Sequence, residues 1–283
     1  MEKPKEKPEV SLDPADIVLE TNELDLEALR DAPGCTTRVY HEAVYVGQLD
    51  EEEQRHGLGA MKYKSGRQYE GGWVHDLRDG KGFERYANGN TYYGQFQGGK
   101  AHGNGVYTWA NGEVYDGEWD CGLKHGHGIW KGVHGDSYIG EWNRSRAHGY
   151  GVHTWPNGDR YEGEWHFCLK QGAGTDSFAN GDTYTGEYYA GQPQGKGQYQ
   201  WEQGQVYVGE FQNGLKHGRG KWRSSTVHNC NVYEGEYFED KRHGEGVFSW
   251  ASGNVYRGQY QDEERHGQGQ MIWTDGSMYD GEW

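Results

Sequence analysis

From Tyr45 onward the apolar and polar positions of the chain follow one short rule. In YDGEW, residues 115–119, Tyr115, Gly117 and Trp119 alternate with Asp116 and Glu118. Period two is the signature of a strand with two unlike faces, here one aromatic and one acidic. The pattern Tyr-x-Gly-x-aromatic begins at Tyr45, where Leu49 takes the aromatic place, and at Tyr69, Tyr92, Tyr115, Tyr138, Tyr161, Tyr184, Tyr207, Tyr233, Tyr256 and Tyr279. Its intervals are 24 residues, then 23 six times, then 26, 23 and 23. After each such strand comes a loop, as around Gly122, and then a second alternating run that opens on Gly-x-Gly. The clearest examples are GNGVYTW at 103–109 and GYGVHTW at 149–155.

Turn dipeptides separate the units: Ser65-Gly66, Asn88-Gly89, Asn111-Gly112, Asn157-Gly158, Asn180-Gly181, Ser252-Gly253 and Asp275-Gly276. Such pairs supply positive φ, which predicts tight two-residue hairpin turns between one unit and the next. Glycine inside a strand weakens it unless something uses the vacant space. Its fixed places here, Gly103 and Gly105 for example, predict a neighbouring ring lying over the backbone. No stretch of helical period interrupts the array. The fold predicted is all-β: an elongated, single-layered, twisted antiparallel sheet of tandem hairpins over 40–283, ten copies and a partial eleventh. It advances about 10 Å per repeat and reaches a length on the order of 100 Å. The 26-residue interval predicts a bulging loop at 223–232. Asp79, Gln171 and Gln194 replace a histidine found in most copies and read as surface variation.

Residues 1–39 form an acidic extension of different character. Lys3–Pro8 has the composition of a disordered segment. Asp13-Pro14 followed by ADIVLETNELDLEALRDA suits a helix over 13–31. Two readings stand: a solvated acidic tail, or a helix that caps the first repeat or docks onto a partner.

Composition explains how such a chain can fold. Hydrophobic residues are only 33%, but 12 Trp and 22 Tyr accompany 48 Gly, so rings packed on glycine take the place of an aliphatic core. The formal charge of −16 opposes binding to nucleic acid or anionic lipid and favours basic partners. The start MEKPKEKPEV has no apolar stretch, which predicts a cytoplasmic protein. Cys35, Cys121, Cys168 and Cys230 are widely separated and are expected as free thiols.

Several residue sets invite a chemical reading. His56, His102, His125, His148, His217, His243 and His266 recur at one repeat position. Successive copies should stand about 10 Å apart by strand spacing, whereas zinc holds its ligands at about 2 Å, so the row predicts no metal site. The Gly-x-Gly pairs neither complete a nucleotide loop nor open a helix. Glu118, Glu141, Glu164, Glu187, Glu210 and Glu236 read as a charge ladder on the polar face. The chain is therefore expected to have no catalytic residues, no cofactor and no enzymatic activity. The stripe Trp73, Phe96, Trp119, Trp142, Trp165, Tyr188, Phe211, Tyr237, Tyr260 and Trp283 is expected to pack the fold. Lacking a covering layer, it should also remain partly accessible as a protein-binding groove.

The strings YDGEW, LKHGHG, YEGEW, FQNGLKHGRG and WANGEVYDGEW resemble MORN repeats, and the resemblance covers residues 45–283. It implies an extended hairpin array with an aromatic groove. A nearly pure array behind an acidic leader is most similar to the radial-spoke head and related axonemal members of motile cilia. That implies a non-catalytic scaffold of the cilium or flagellum, whose partners are other proteins of a large assembly with basic or apolar docking segments. The strand Tyr279–Trp283 is expected to be covered in that assembly. Other members of the family imply two alternatives, a phospholipid-binding tether or the regulatory array of a larger lipid-kinase-like protein.

Overall fold

Each repeat folds as its alternation requires. A seven-residue strand carries Tyr-x-Gly-x-aromatic, a two-residue loop reverses the chain, and a nine-residue strand carries Gly-x-Gly, as in Arg160–His166 and Leu169–Ser177. The computed structural model describes Leu29 and residues 32–283; the stretch 13–31 lies, Leu29 apart, outside the described residues. Contacts divide the chain at Gly122. The first unit holds eight strands, from Cys35–Val39 to Val114–Asp120, and the second holds fourteen, from Leu123–Lys131 to Met278–Glu282. Within each unit every strand pairs antiparallel with its sequence neighbour, and no helical layer covers either face among the described residues. Cys35–Val39, which the sequence places in the extension, is already a strand of the array, paired with Ala43–Leu49.

The core of each hairpin is a tyrosine lying on two glycines. Gly163 and Gly174 face each other across the hairpin, and Tyr161 folds back over both. A Cβ on Gly174 would stand 2.4 Å from the Tyr161 hydroxyl and 2.6 Å from its ring. The hydroxyl donates to the carbonyl of Glu164 at 3.0 Å, so the buried phenol is satisfied by its own strand. The ring then meets two others edge to face: Trp165 of its own strand at 5.0 Å and Tyr188 of the next hairpin at 5.1 Å. The same alternation runs from Tyr138 to Trp165, Tyr184 to Phe211, Tyr207 to Tyr237 and Tyr233 to Tyr260. Each edge-to-face pair adds about 0.5–1.5 kcal/mol beyond the area it buries. Neighbour dependence is visible at Tyr279, which has Trp283 against it and is 43% exposed, while Tyr256, between Tyr260 and Trp283, is 0% exposed.

The turns differ from the expectation in their placing. The tight two-residue loops, with both residues at positive φ, are those inside the repeats from Tyr69 on: Cys121-Gly122 at 50° and 86°, Arg144-Ser145 at 49° and 63°, Phe167-Cys168 at 47° and 70°. At the Asn-Gly turns only the glycine is left-handed (Gly112, φ 97°). There the Gly112 N–H donates to Trp109 and the Trp109 N–H to Glu113. This is a type I turn closed by a glycine bulge, so Asn111 serves as a helical-region residue and not as half of a mirror-image turn. The loop expected at 223–232 is present between strands Leu215–Arg223 and Val232–Phe238.

Residues that read as surface detail turn out to tie repeats together. Asn90, Asp159, Asp182, Asn231 and Asn254 each accept the N–H of the residue twenty positions on, in the following turn, at 2.8 to 3.1 Å. Asp79, Gln171 and Gln194 do the same for the next two-residue loop, accepting from Gly98, Ala190 and Asn213. These three replacements of histidine therefore belong to the frame. Trp73, Trp119, Trp142 and Trp165 donate their indole N–H to Gly59, Gly105, Gly128 and Gly151 of the preceding repeat.

Two outcomes follow from this core. Gly174→Ala should destabilise the second unit by about 3 kcal/mol, since the new methyl group overpacks against a ring pinned by its hydroxyl, and a urea melt will show it. Burial pushes the phenols of Tyr138, Tyr161, Tyr184, Tyr207 and Tyr233 above their ordinary range, and that of Tyr260 up to about 12. The folded chain thus holds these protons more tightly than the unfolded chain. Their stabilisation is complete below the unfolded phenol value of about 10 and falls as pH rises above it. Tm followed by circular dichroism should stay level with respect to tyrosine ionisation to about pH 9 and drop steeply beyond about pH 10.

Candidate docking face

The structure corrects the expectation of an accessible aromatic stripe. Trp73, Phe96, Trp119, Trp142, Trp165, Tyr188, Phe211, Tyr237 and Tyr260 are none of them more than 9% exposed, and Trp283 is half-buried. Single-layered sheets would leave such rings open, but the long side chains of a neighbouring position close over them. Lys170 Nζ stands 4.7 Å from the Tyr161 ring and 5.5 Å from that of Tyr188. Lys216 lies 5.4 Å from Tyr237, Arg242 lies 5.5 Å from Tyr260, and Arg265 lies 4.3 Å from Trp283.

The most exposed rings stand beside the two-residue loops, Tyr189 at 66% and Phe238 at 50%, and a second, half-buried row is contributed by the first residue of the Asn-Gly-type turns. Trp109, Trp155, Phe178, Trp201 and Trp250 are half-buried. Trp155, Trp201 and Trp250 lean on His153, Tyr199 and Phe248 at 4.2 to 4.6 Å. The recurring aromatic just before the turn dipeptide was the available signal, and reading it only as part of a strand end missed it. Between this row and the buried rings run the cations, and acids balance most of them. Lys170 meets Asp176, Lys216 meets Asp240 at 4.0 Å, and Arg242 meets Glu263 at 2.8 Å. In the first unit Arg67 and Arg78 converge on Glu84, which is 1% exposed and stands where other repeats place a ring. Cavities of about 490 and 350 Å³ open along this face, at Trp250, Arg265 and Trp283 and at Trp222, Tyr237 and Phe248. Rings flanked by neutralised cations suit the burial of apolar side chains.

The repeated glutamates have a structural occupation. Where strand Arg146–Thr154 bulges against Ser137–Asn143, the Glu141 carboxylate accepts the Tyr150 N–H at 3.0 Å, and Glu164 does the same for Ala173 at 3.4 Å. They cap an irregular backbone and are not the free ladder expected. The histidines pack near the two-residue loops: His148 against Phe167 at 4.9 Å, His217 against Phe238 at 5.2 Å. His56 differs, because Asp50 and His75, which lie outside the row, bring their ligand atoms within 4.8 Å of its own and of each other. Asp50 Oδ1 accepts N–H groups of Glu52 and Gln54, leaving Oδ2 at 3.3 Å from His75 Nδ1. These three are the described residues with the donor set for a divalent cation. No pair of the four cysteines is joined.

The sequence profile of the MORN repeat matches nine segments: residues 69–91, 92–114, 115–137, 138–160, 161–183, 184–206, 207–226, 233–255 and 256–278. A search of curated proteins gave no match. Among solved structures, the wild-type TCP10 domain of Danio rerio CPAP is similar at 10% identity, over 88% of this chain and 100% of that one, with a TM-score of 0.26. The TCP domain of Drosophila melanogaster SAS-4 (dCPAP), solved with a proline-rich motif of Ana2 (dSTIL), is similar at 10% identity over 72% and 86%, TM-score 0.26. The G-box domain of the microcephaly protein CPAP gives 8%, 79% and 97%, TM-score 0.29. At such scores the likeness carries no argument about function.

The two aromatic rows should respond differently to truncation. Phe211→Ala, in the buried row, should cost about 3–5 kcal/mol, and Trp201→Ala, in the half-buried row, less than half of that. Parallel denaturant melts of the two variants check the division, and equal losses would refute it.

Proposed function

The chain belongs to the MORN-repeat family, and from that membership together with its outer tryptophan row we propose a non-catalytic scaffold that docks extended segments of partner proteins. One observation carries the reading: Trp109, Trp155, Trp201 and Trp250 recur at one repeat position, half-buried and reachable. Tryptophan held in this way is a characteristic anchor of protein interfaces. Within the second unit the recurrence of Trp155, Trp201 and Trp250 lets one extended partner engage several anchors, so that weak contacts add through effective concentration. The net charge of −16 supports partners whose apolar anchors are flanked by basic residues.

Catalysis is left out of the proposal for a local reason. Carboxylates that could act in pairs are occupied, Glu141 and Glu164 by bulges and Asp176 by Lys170 and Tyr188. Within the family, the long uninterrupted run of repeats supports placement in the ciliary axoneme, in the radial-spoke head or a related cytoplasmic assembly. Both parts are open to test. Mass spectrometry of isolated axonemes should find the chain, and its consistent absence would sink the ciliary placement. Cross-linking of the native assembly should join partners to Lys170 and Lys216. Trp155→Ala with Trp201→Ala should lower partner recovery about tenfold, the loss of roughly one good anchor. Undiminished recovery would remove the docking face.

A further inference from the structure

Opposite the rings, the outward residues of most strands mix acids, amides and aliphatics. Strand Leu215–Arg223 is the exception among the described strands, with cations at three successive outward positions, Arg219, Lys221 and Arg223. Register brings a fourth into the same band. Lys221 stands opposite Glu234, Glu234 opposite Val247, and Val247 opposite Arg257. Lys221 pairs with Glu234 at 2.7 Å, while Arg219, Arg223 and Arg257 are exposed and meet no carboxylate among the described residues. Glu236, the cross-strand neighbour of Arg219, is turned away onto the bulge at Gly244.

These four cations edge a cavity of about 850 Å³, whose only carboxylates are Glu234 and Glu245. Val208, Val232 and Val247 give it apolar sides. The irregular loop of the array, residues 224–231, leaves the sheet directly from Arg223 and returns at Val232, both of which line the cavity. The single long interval of the repeat and its single all-cationic strand face thus coincide.

We propose that this trench is a second docking site, one that takes an extended acidic segment of a partner protein lying along strand Leu215–Arg223. Alternate residues of a strand are about 6.8 Å apart, so Arg219, Lys221 and Arg223 match the spacing of carboxylates at every second position of an extended peptide. Guanidinium groups bind carboxylates through paired hydrogen bonds, which favours arginine at such a site. The valines in the lining accept its small apolar residues. A lipid surface fits less well, because a bilayer is flat where the trench is concave. The site lies on the face opposite the tryptophan row and stands or falls independently of it.

The test uses the full chain and fluorescence anisotropy with a labelled peptide of alternating glutamate and valine. A lysine–valine peptide and phosphatidylcholine vesicles doped with phosphatidylinositol 4,5-bisphosphate serve as the other arms. The acidic peptide should bind saturably and more weakly as salt is raised. Arg219→Ala with Arg257→Ala should raise its Kd at least about tenfold. Lys81→Ala with Arg85→Ala, on the corresponding face of the first unit, should leave it unchanged. Because the substituted arginines are exposed, all variants should keep the Tm of the parent. Equal binding of both peptides, or undiminished binding by the arginine variant, overturns the proposal. So does arginine-dependent capture of the vesicles without binding of the peptide.

Discussion

A tyrosine ring resting on two glycines that face each other across a hairpin is the contact on which the rest of this molecule depends. It explains why the chain spends so many positions on glycine and so few on aliphatic residues. Conventional small domains bury side chains between layers. Here the ring is laid flat against the backbone of its own hairpin, and the depth it needs comes from the absent Cβ atoms of a pair such as Gly163 and Gly174. Because the phenol donates to a carbonyl three residues on, burial leaves no unsatisfied group. The edge of the next hairpin's ring then completes the enclosure, so each repeat is finished by its successor.

That arrangement assigns the charges their places. Long cations at one repeat position, Lys170, Lys216 and Arg242 among them, lie across the rings with their stems and reach acids at their tips. They act as the missing second layer. On the other face, glutamates such as Glu141 are drawn into the bulges that the strand pairing creates. Both sets would pass for solvated surface in the sequence, yet each satisfies a need of the backbone or the rings. What this leaves uncovered is a set of half-buried turn tryptophans and exposed loop rings such as Tyr189 and Phe238, and the cationic strand on the other face.

A repeat protein gains a long surface without enlarging a core, because stability is a sum of similar neighbour terms. The corollary is that variation can be local. Glu84 and Asp176 stand where other repeats put a ring, each paired with cations nearby, and the hairpins around them keep their register. The loop at 224–231 and the arginines beside it are of the same kind, a departure confined to one repeat that changes what the surface offers and leaves the frame alone.

Much of this was legible in the chain. The interval of 23 residues, the alternation in YDGEW and the paired glycines determined the hairpin, the strand order and the neighbour-to-neighbour packing, because period two and a vacant Cβ are local properties that each copy carries by itself. The expectation that residues 223–232 form a loop likewise followed from counting. Which rings stay reachable was settled only in three dimensions. Trp142 and Trp155 look alike in sequence and each has a lysine over its ring, Lys124 at 4.1 Å and Lys170 at 5.1 Å, but one is buried in a strand and the other half-buried at a turn. The turn type at Asn111-Gly112, the tie from Asp159 to the next turn, and the meeting of His56 with Asp50 and His75 are of the same sort. Each depends on atoms from different loops or different repeats reaching one point, and a periodic sequence states the repeat without stating what its neighbours bring to it.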